Sequence, residues 1–540
     1  MDERFHYVVI GSGSAGAVVA TRLAERISGR VLLLEAGASH ENDFWIRVPI
    51  GLAKILGNTN YVWKFNTEPQ AFLAGQKIYW PRGKLPGGSS SVNGMIFVRG
   101  DPAEFDRWRD ELGNRGWGYE DVLPYFKKFE STAIGDSRYR GRDGPVPVCS
   151  LGAQPDELSN AFLGACESAG VPRNADYNGA QYEGVSYLQL STHRARRAST
   201  ATGYLHRTRR DNFVFRTEAL ATRVLLEGRK AVGVEYRHGG ELRTAHADRE
   251  VIVSAGPIKS PQLLELSGIG NGERLQSLGI ATRHHLPGVG ENLIDHVQSR
   301  LTFACTRPIT LNEIMQSPFR QLLMGAKFML TGKGLMATAT ATVHALARPA
   351  AGYDRPAVKI QLHHLSSRDR FEVVDPRRLG EALDKHPGFS IGFFQLRPES
   401  RGWVHIRTAD PNDDPAIDPH YLEAEADQRT MLDALKLARR VSRQPSIAAY
   451  VERETRPGPD AESDEALLAY LRASGQTSFH PVGSCKMGSD PMAVVDTDLR
   501  VRGIERLRVV DSSIMPTMPS SNTNAASIMV GEKAADIILR

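Results

Sequence analysis

Six residues near the amino terminus, Gly11-Ser12-Gly13-Ser14-Ala15-Gly16, have the types and spacing to bind a pyrophosphate. Gly11 permits a tight turn. Gly13 lets backbone N–H groups approach phosphates at the positive end of a helix, and Gly16 lets that helix pack against a strand. Glu35 lies 19 residues beyond Gly16, where a carboxylate accepts hydrogen bonds from both ribose hydroxyls and repels a 2′-phosphate. The ligand these residues suit is therefore FAD or NAD, not NADP. A second cluster, Arg82-Gly83-Lys84-Leu85-Pro86-Gly87-Gly88-Ser89-Ser90-Ser91-Val92-Asn93-Gly94, exposes many N–H and hydroxyl donors. Such a run suits a loop wrapped along a phosphate or a flavin edge.

These residues need elements to hold them. Tyr7–Ile10 and Val31–Leu34 read as buried strands, and Ala17–Glu25 between them has helical composition. Glu250–Ser254 is a further buried strand, followed by the turn Ala255-Gly256-Pro257 and a helix over Ile258–Ser267. Pro356–Leu365 alternates apolar and polar residues. Gly388–Leu396 and Trp403–Arg407 flank Pro398–Gly402 and predict a hairpin in an antiparallel sheet. Asp427–Arg443 is an amphipathic helix, Leu507–Asp511 another strand-then-acid unit, and a closing helix starts near Ala526. Parallel-type units gather at the two ends and near residue 250. The expected fold is α/β: a discontinuous Rossmann-type nucleotide domain (1–155, 215–305 and 485–540). Into it an α+β substrate domain built on an antiparallel sheet (156–214 and 306–484) is inserted.

Composition narrows the function classes. At 540 residues the chain exceeds what one core usually serves. It carries 67 Lys and Arg against 62 Asp and Glu, a net charge of only +5 with no basic run, so nucleic acid is a poor partner. Four cysteines in no CxxC pair suit neither zinc nor a disulfide scaffold, and no metal site is expected. No stretch approaches 18 apolar residues, which excludes a spanning helix. The acidic start Met-Asp-Glu-Arg is no secretory signal. The expected place is the cytoplasm, free or held peripherally at the inner membrane face.

The blocks in order identify a resemblance. Gly83–Asn93, Gly256–Gly270, Leu286–His296, His480–Gly488, and Arg508–Pro516 with Asn522-Thr523-Asn524-Ala525 resemble the signatures of the glucose–methanol–choline (GMC) oxidoreductases. These are FAD enzymes that oxidise alcohols, and the likeness runs over essentially the whole chain. It is nearest to the bacterial choline, sorbose, polyethylene glycol and aliphatic alcohol dehydrogenase branch. Pro86 departs from the pattern, where an aliphatic residue is usual.

The resemblance implies FAD over NAD and assigns contacts. Gly11, Ser12, Gly13, Ser14, Ala15, Gly16, Glu35 and Ala36 hold the ADP half. Arg82, Gly83, Gly87, Gly88, Ser89, Val92, Asn93, Gly94, Met95 and Ile96 line the pyrophosphate and flavin. Ala221 presents backbone to the adenine, and Ala255, Gly256, Asp511, Asn524 and Ala525 border the flavin. Some relatives tether FAD through a histidine at the position of Val92, which has no nucleophile, so FAD is expected to bind non-covalently. His480 looks like the family's base, and Asn524 matches its second catalytic position. Such a base takes the hydroxyl proton while hydride leaves the same carbon for flavin N5, help worth about 10²–10⁴-fold.

The expected activity is oxidation of a primary or secondary alcohol to aldehyde or ketone. Electrons pass to O₂ or a quinone- or dye-type carrier, and the protein is a monomer or homodimer. The alternatives are non-oxidative or light-driven chemistry on the same scaffold, as in cyanohydrin lyases and fatty acid photodecarboxylases, and a non-catalytic flavin protein. His363 and His364 lie in one strand, so one faces inward. Cys485 reads as a packing cysteine, and Arg194-Ala195-Arg196-Arg197 as a solvated turn.

Overall fold

The computed structural model describes residues 3–40, 43–338, 341–367 and 382–540. The β-branched and leucine-rich runs Glu3–Ile10 and Val31–Leu34 pair in parallel at the centre of a seven-stranded sheet. Its order is Phe213–Arg216, Val31–Leu34, Glu3–Ile10, Glu241–Val253, Lys230–His238 and Ala219–Glu227, with Leu507–Val509 also paired to Glu241–Val253. The long Glu241–Val253 strand serves two purposes: its end runs parallel to Glu3–Ile10, and its start pairs antiparallel with Lys230–His238.

Helix Gly16–Arg26 buries Ala17, Val18, Val19, Ala20, Leu23 and Ala24 beside this sheet. The closing helix Asn524–Ile538 lies across it, so close that a Cβ on Gly531 would sit 2.7 Å from the Ala15 carbonyl. Buried Glu532 clamps the two, accepting from Arg22 (2.8 Å) and Tyr204 (2.7 Å) and pairing with Lys128 (3.0 Å). The start of the first helix is thereby held where a phosphate would meet it.

The second seven-stranded sheet is antiparallel: Val451–Arg456, Val297–Cys305, Gly388–Gln395, Val358–His363, Ala341–Ala347 and Gly184–Tyr187, with Gln476–Thr477 beside Val297–Cys305. Helix Glu425–Ser442 covers it with Met431, Leu435, Ala438 and Val441.

Two expectations need correction. Val297–Cys305 belongs to the second sheet, not to the nucleotide part, because all nine residues find partners in Gly388–Gln395, Val451–Arg456 and Gln476–Thr477. Gly402–His405 forms no hairpin with Gly388–Gln395. It pairs with Glu291–Leu293 and Ala416–Asp418 in a separate three-stranded sheet. Pro398 cannot donate to a ladder, and buried Asp427 draws the next residues aside, accepting from the backbone of Glu399 (2.8 Å) and Ser400 (2.9 Å).

Candidate active site

The chain leaves the first strand at Ile10 and turns at Gly11 with φ +93°, where a Cβ would lie 2.4 Å from the Ser254 carbonyl. Only glycine fits. A Cβ on Gly16 would lie 1.9 Å from the Gly11 carbonyl, so Gly16 closes the turn, whereas Gly13 faces open space. Glu35 is buried at the end of its strand. Its carboxylate accepts from Ser12 N (3.1 Å), Ser12 Oγ (2.6 Å) and Gly37 N (2.9 Å). Burial pushes this carboxyl above the ordinary range, and those hydrogen bonds oppose the push.

The second glycine cluster meets the first directly: a Cβ on Gly88 would stand 2.8 Å from Gly13 Cα. The open space over Gly13, a helix start and a buried acceptor at Glu35 together fit the ADP half of the FAD implied by the resemblance. One cavity runs on from there. Its walls include Gly11, Gly13, Ser14, Ala15, Glu35, Ala36, Arg82, Gly83, Gly88, Ser89, Val92, Asn93, Gly94, Met95, Ile96, Ala221, Ala255, Gly256, Asp511, Asn524 and His480.

Four expected contacts do not reach the cavity wall. Ser12 is turned to Glu35, and Gly16 packs under the turn. Gly87 donates its N–H to Ser12 O (3.0 Å), and Ala525 is buried at the start of the closing helix. Their place is behind the wall. Asp511 accepts from Gly256 N (2.9 Å), Ser260 Oγ (2.6 Å) and Ser513 N (2.8 Å), holding Ala255–Gly256 at the cavity.

His480 lines the same cavity. Its backbone N–H donates to Asp295 (2.7 Å), a buried carboxyl raised to about 6 by burial that also accepts from Thr477 (2.6 Å) and Tyr421. Its ring closes a chain of hydrogen bonds whose direction is set at one end. The Leu396 carbonyl can only accept, so His296 carries its proton on Nε2 (3.0 Å) and offers Nδ1 as acceptor. His480 must then donate from Nδ1 (3.0 Å), which leaves its Nε2 unprotonated. Asn522 donates to that Nε2 through Nδ2 (2.8 Å), and its Oδ1 accepts from buried Lys359 (2.8 Å). Burial, then His296, Lys359 and Arg82, hold His480 well below the imidazole range, and burial takes His296 to about 3 and Lys359 to about 7.

The side chain against His480 is therefore Asn522, not Asn524. Asn524 opens the closing helix, and its Oδ1 accepts from Ser14 (2.8 Å) at the nucleotide end. The spacing Asn-Thr-Asn offers both, and only the turn before the helix selects one. Left-handed backbone at Met95, Phe479 and Ser520 flanks the same region, a strain of about 1–3 kcal/mol each that the surrounding packing holds.

Three more side chains carry the site, though the sequence alone assigns none of them a role. His296 and Lys359 complete the chain described above. Arg197, expected in a solvated turn, is buried instead. It donates to the carbonyls of Ile46 (3.0 Å) and Asn93 (2.6 Å) and to Asn93 Oδ1 (2.8 Å), fixing the loop that lines the cavity. Burial brings its guanidinium down to about 9. His363 lines the cavity, while its neighbour His364 turns away to Thr342 (3.1 Å). Cys485 is a buried free thiol.

Comparison with known proteins adds to this geometry. A family model described as GMC oxidoreductase matches residues 5–298, and its carboxyl-terminal counterpart matches 398–531. The mitochondrial choline dehydrogenase of Homo sapiens is 44 % identical, covering 99 % of this chain and 90 % of that protein. The oxygen-dependent choline dehydrogenase of Vibrio vulnificus is 42 % identical, covering 100 % and 95 %. Among solved structures, pyridoxine 4-oxidase from Mesorbium loti superposes with a TM-score of 0.87 at 30 % identity, covering 99 % of both chains.

Proposed function

The chain belongs to the GMC oxidoreductases, and from that premise we propose that it oxidises an alcohol to an aldehyde or ketone, with His480 taking the hydroxyl proton. Glu35 and the Ala255–Gly256 turn braced by Asp511 would hold FAD, which would supply the hydride acceptor when bound. The observation that carries this reading is the hydrogen-bond chain from Leu396 through His296, which leaves His480 Nε2 unprotonated in a side chain that lines the cavity. Asn522 Nδ2 donates to that nitrogen (2.8 Å), and a substrate hydroxyl that takes this bond over meets His480 Nε2 as acceptor and Asn522 as donor. As the proton leaves, Asn522 Nδ2 stabilises the developing alkoxide, and His480 becomes an imidazolium that keeps its Nδ1–H bond to neutral His296. Asp295 holds the backbone in place throughout.

In this reading the strands around Glu3–Ile10 form the nucleotide domain and the antiparallel sheet supplies the substrate walls. The chain works in the cytoplasm, free or held peripherally at the inner membrane face, and O₂ or a quinone- or dye-type carrier takes the electrons. Choline, which the dehydrogenase relatives are named for, heads the panel of alcohols to try.

The test is anaerobic flavin bleaching by that panel, in the wild type and in His480→Ala. Bleaching by at least one alcohol is expected, slowed by roughly 10²-fold or more in the variant with the flavin spectrum kept. The neutral imidazole is the active form and its pKa is depressed, so activity should rise with pH along a limb below the usual histidine range. Bleaching of His480→Ala within about threefold of wild type would place the base elsewhere, His363 first.

A further inference from the structure

We propose that helix Pro318–Thr331 is a docking element that lies flat on a bilayer carrying anionic headgroups. The helix is well delimited, with Pro318 in its first turn, Ser317 as N-cap and Gly332 at φ +65° as C-cap. At 1.5 Å per residue it is about 21 Å long. Phe328 is buried and Met324 half-buried, packed with Val48, Met336 and Ala337. On a helical period these two share the inward face, and Phe319, Leu322, Leu323, Met329 and Leu330 share the opposite one. That outward face is in water: the five side chains are 52 to 85 % exposed. They make up five of the eight large apolar side chains exposed among the described residues. A monomer rarely leaves such a contiguous patch bare.

Charge selects the occupant. Arg320 and Lys327 border the apolar face, and Lys333 follows the helix. From Ile314 to Tyr353 the sequence contains no Asp or Glu. A second copy of the chain, docked through a two-fold axis here, would bring these cations together with no acid of the segment to meet them. Apolar side chains flanked by cations are instead what an interfacial helix presents to anionic lipid. The helix does not span: among the described residues no helix is long and apolar enough to cross a membrane.

The position gives the docking a use. The helix follows directly on Leu311–Met315, whose Leu311 and Met315 line the cavity with Leu365 and Leu383. A docked molecule would hold that end of the cavity at the bilayer, where an apolar alcohol or a lipid-soluble acceptor is concentrated. This last consequence rests on the proposed oxidation; the docking itself does not.

Vesicle flotation of the flavin-loaded protein tests it without reference to activity. Wild type should float with vesicles of phosphatidylcholine and phosphatidylglycerol, and less with phosphatidylcholine alone or in high salt. Leu322→Glu combined with Leu330→Glu should lower the floated fraction at least about tenfold with an unchanged flavin spectrum and melting curve. Arg320→Glu with Lys327→Glu should abolish the preference for the anionic lipid. Wild type that stays in solution, or a leucine variant that floats like wild type, overturns the proposal. So does a dimer by light scattering that the leucine variant splits, since a second copy would then be the occupant.

Discussion

The role of base proposed for His480 needs a fixed protonation pattern, and three groups supply one. The Leu396 carbonyl fixes the protonation of His296, His296 fixes that of His480, and Asn522 aims its amide hydrogen at the remaining nitrogen. Lys359 stands behind Asn522 and decides which way the amide faces, since an ammonium can bond only to the oxygen. Its charge also helps to keep His480 unprotonated. Lys359→Met should therefore retain flavin and lower kcat by roughly tenfold, the cost of a mis-aimed donor. With the cation gone His480 binds its proton more readily, so the acid limb of the pH–rate profile should move to higher pH. An unmoved limb would mean that Lys359 only fills space.

At the scale of elements, the nucleotide end works because two glycine loops and two helix starts converge. The first helix cannot slide, being clamped to the closing helix through Glu532. Its turn has no room, since a Cβ on Gly16 would meet the Gly11 carbonyl and Ser254 Cβ together. Gly16→Ala should move the helix start away from the phosphates. The expected result is weak or absent flavin in the purified protein and a loss of about 1–3 kcal/mol in stability, read by absorbance and by denaturant melts. The same variant purified with full flavin would show that the turn can relax. The antiparallel side depends on element choices too: buried Asp427 and Pro398 break what would otherwise be a continuous hairpin and send Gly402–His405 to its own small sheet.

The whole molecule is joined by one cavity whose walls come from both large sheets. Val92, buried on that wall, offers no nucleophile for a covalent tether, so flavin should leave with the supernatant on acid precipitation. Stripped protein given FAD back should melt at a temperature that climbs with FAD concentration. The gain is about 2.7 kcal/mol at a hundredfold excess over Kd. It should appear as one shifted transition, because both sheets border the cavity. Flavin retained in the pellet, or two transitions of which only one moves, would contradict this arrangement.

Local sequence by itself determined the glycine turn at the amino terminus. Gly11, Gly13, Gly16 and Glu35 lie within one strand–turn–helix–strand unit, so their spacing is enough to read the turn that they form. The parallel and antiparallel halves were legible for the same reason, from runs of four to ten residues, except for Val297–Cys305 and the expected hairpin at Gly402–His405. The His480 end was not. Asn522 and Asn524 differ in no local property, and what separates them is the turn that aims one at a ring 42 residues away and the other at Ser14, 510 residues away. Lys359 and Arg197 look in the sequence like ordinary surface cations. They are buried because an amide oxygen in one case and loop carbonyls in the other wait for them inside. Hydrogen bonds between residues far apart in the chain leave no period or spacing to read, and only the packed tertiary structure brings their partners together.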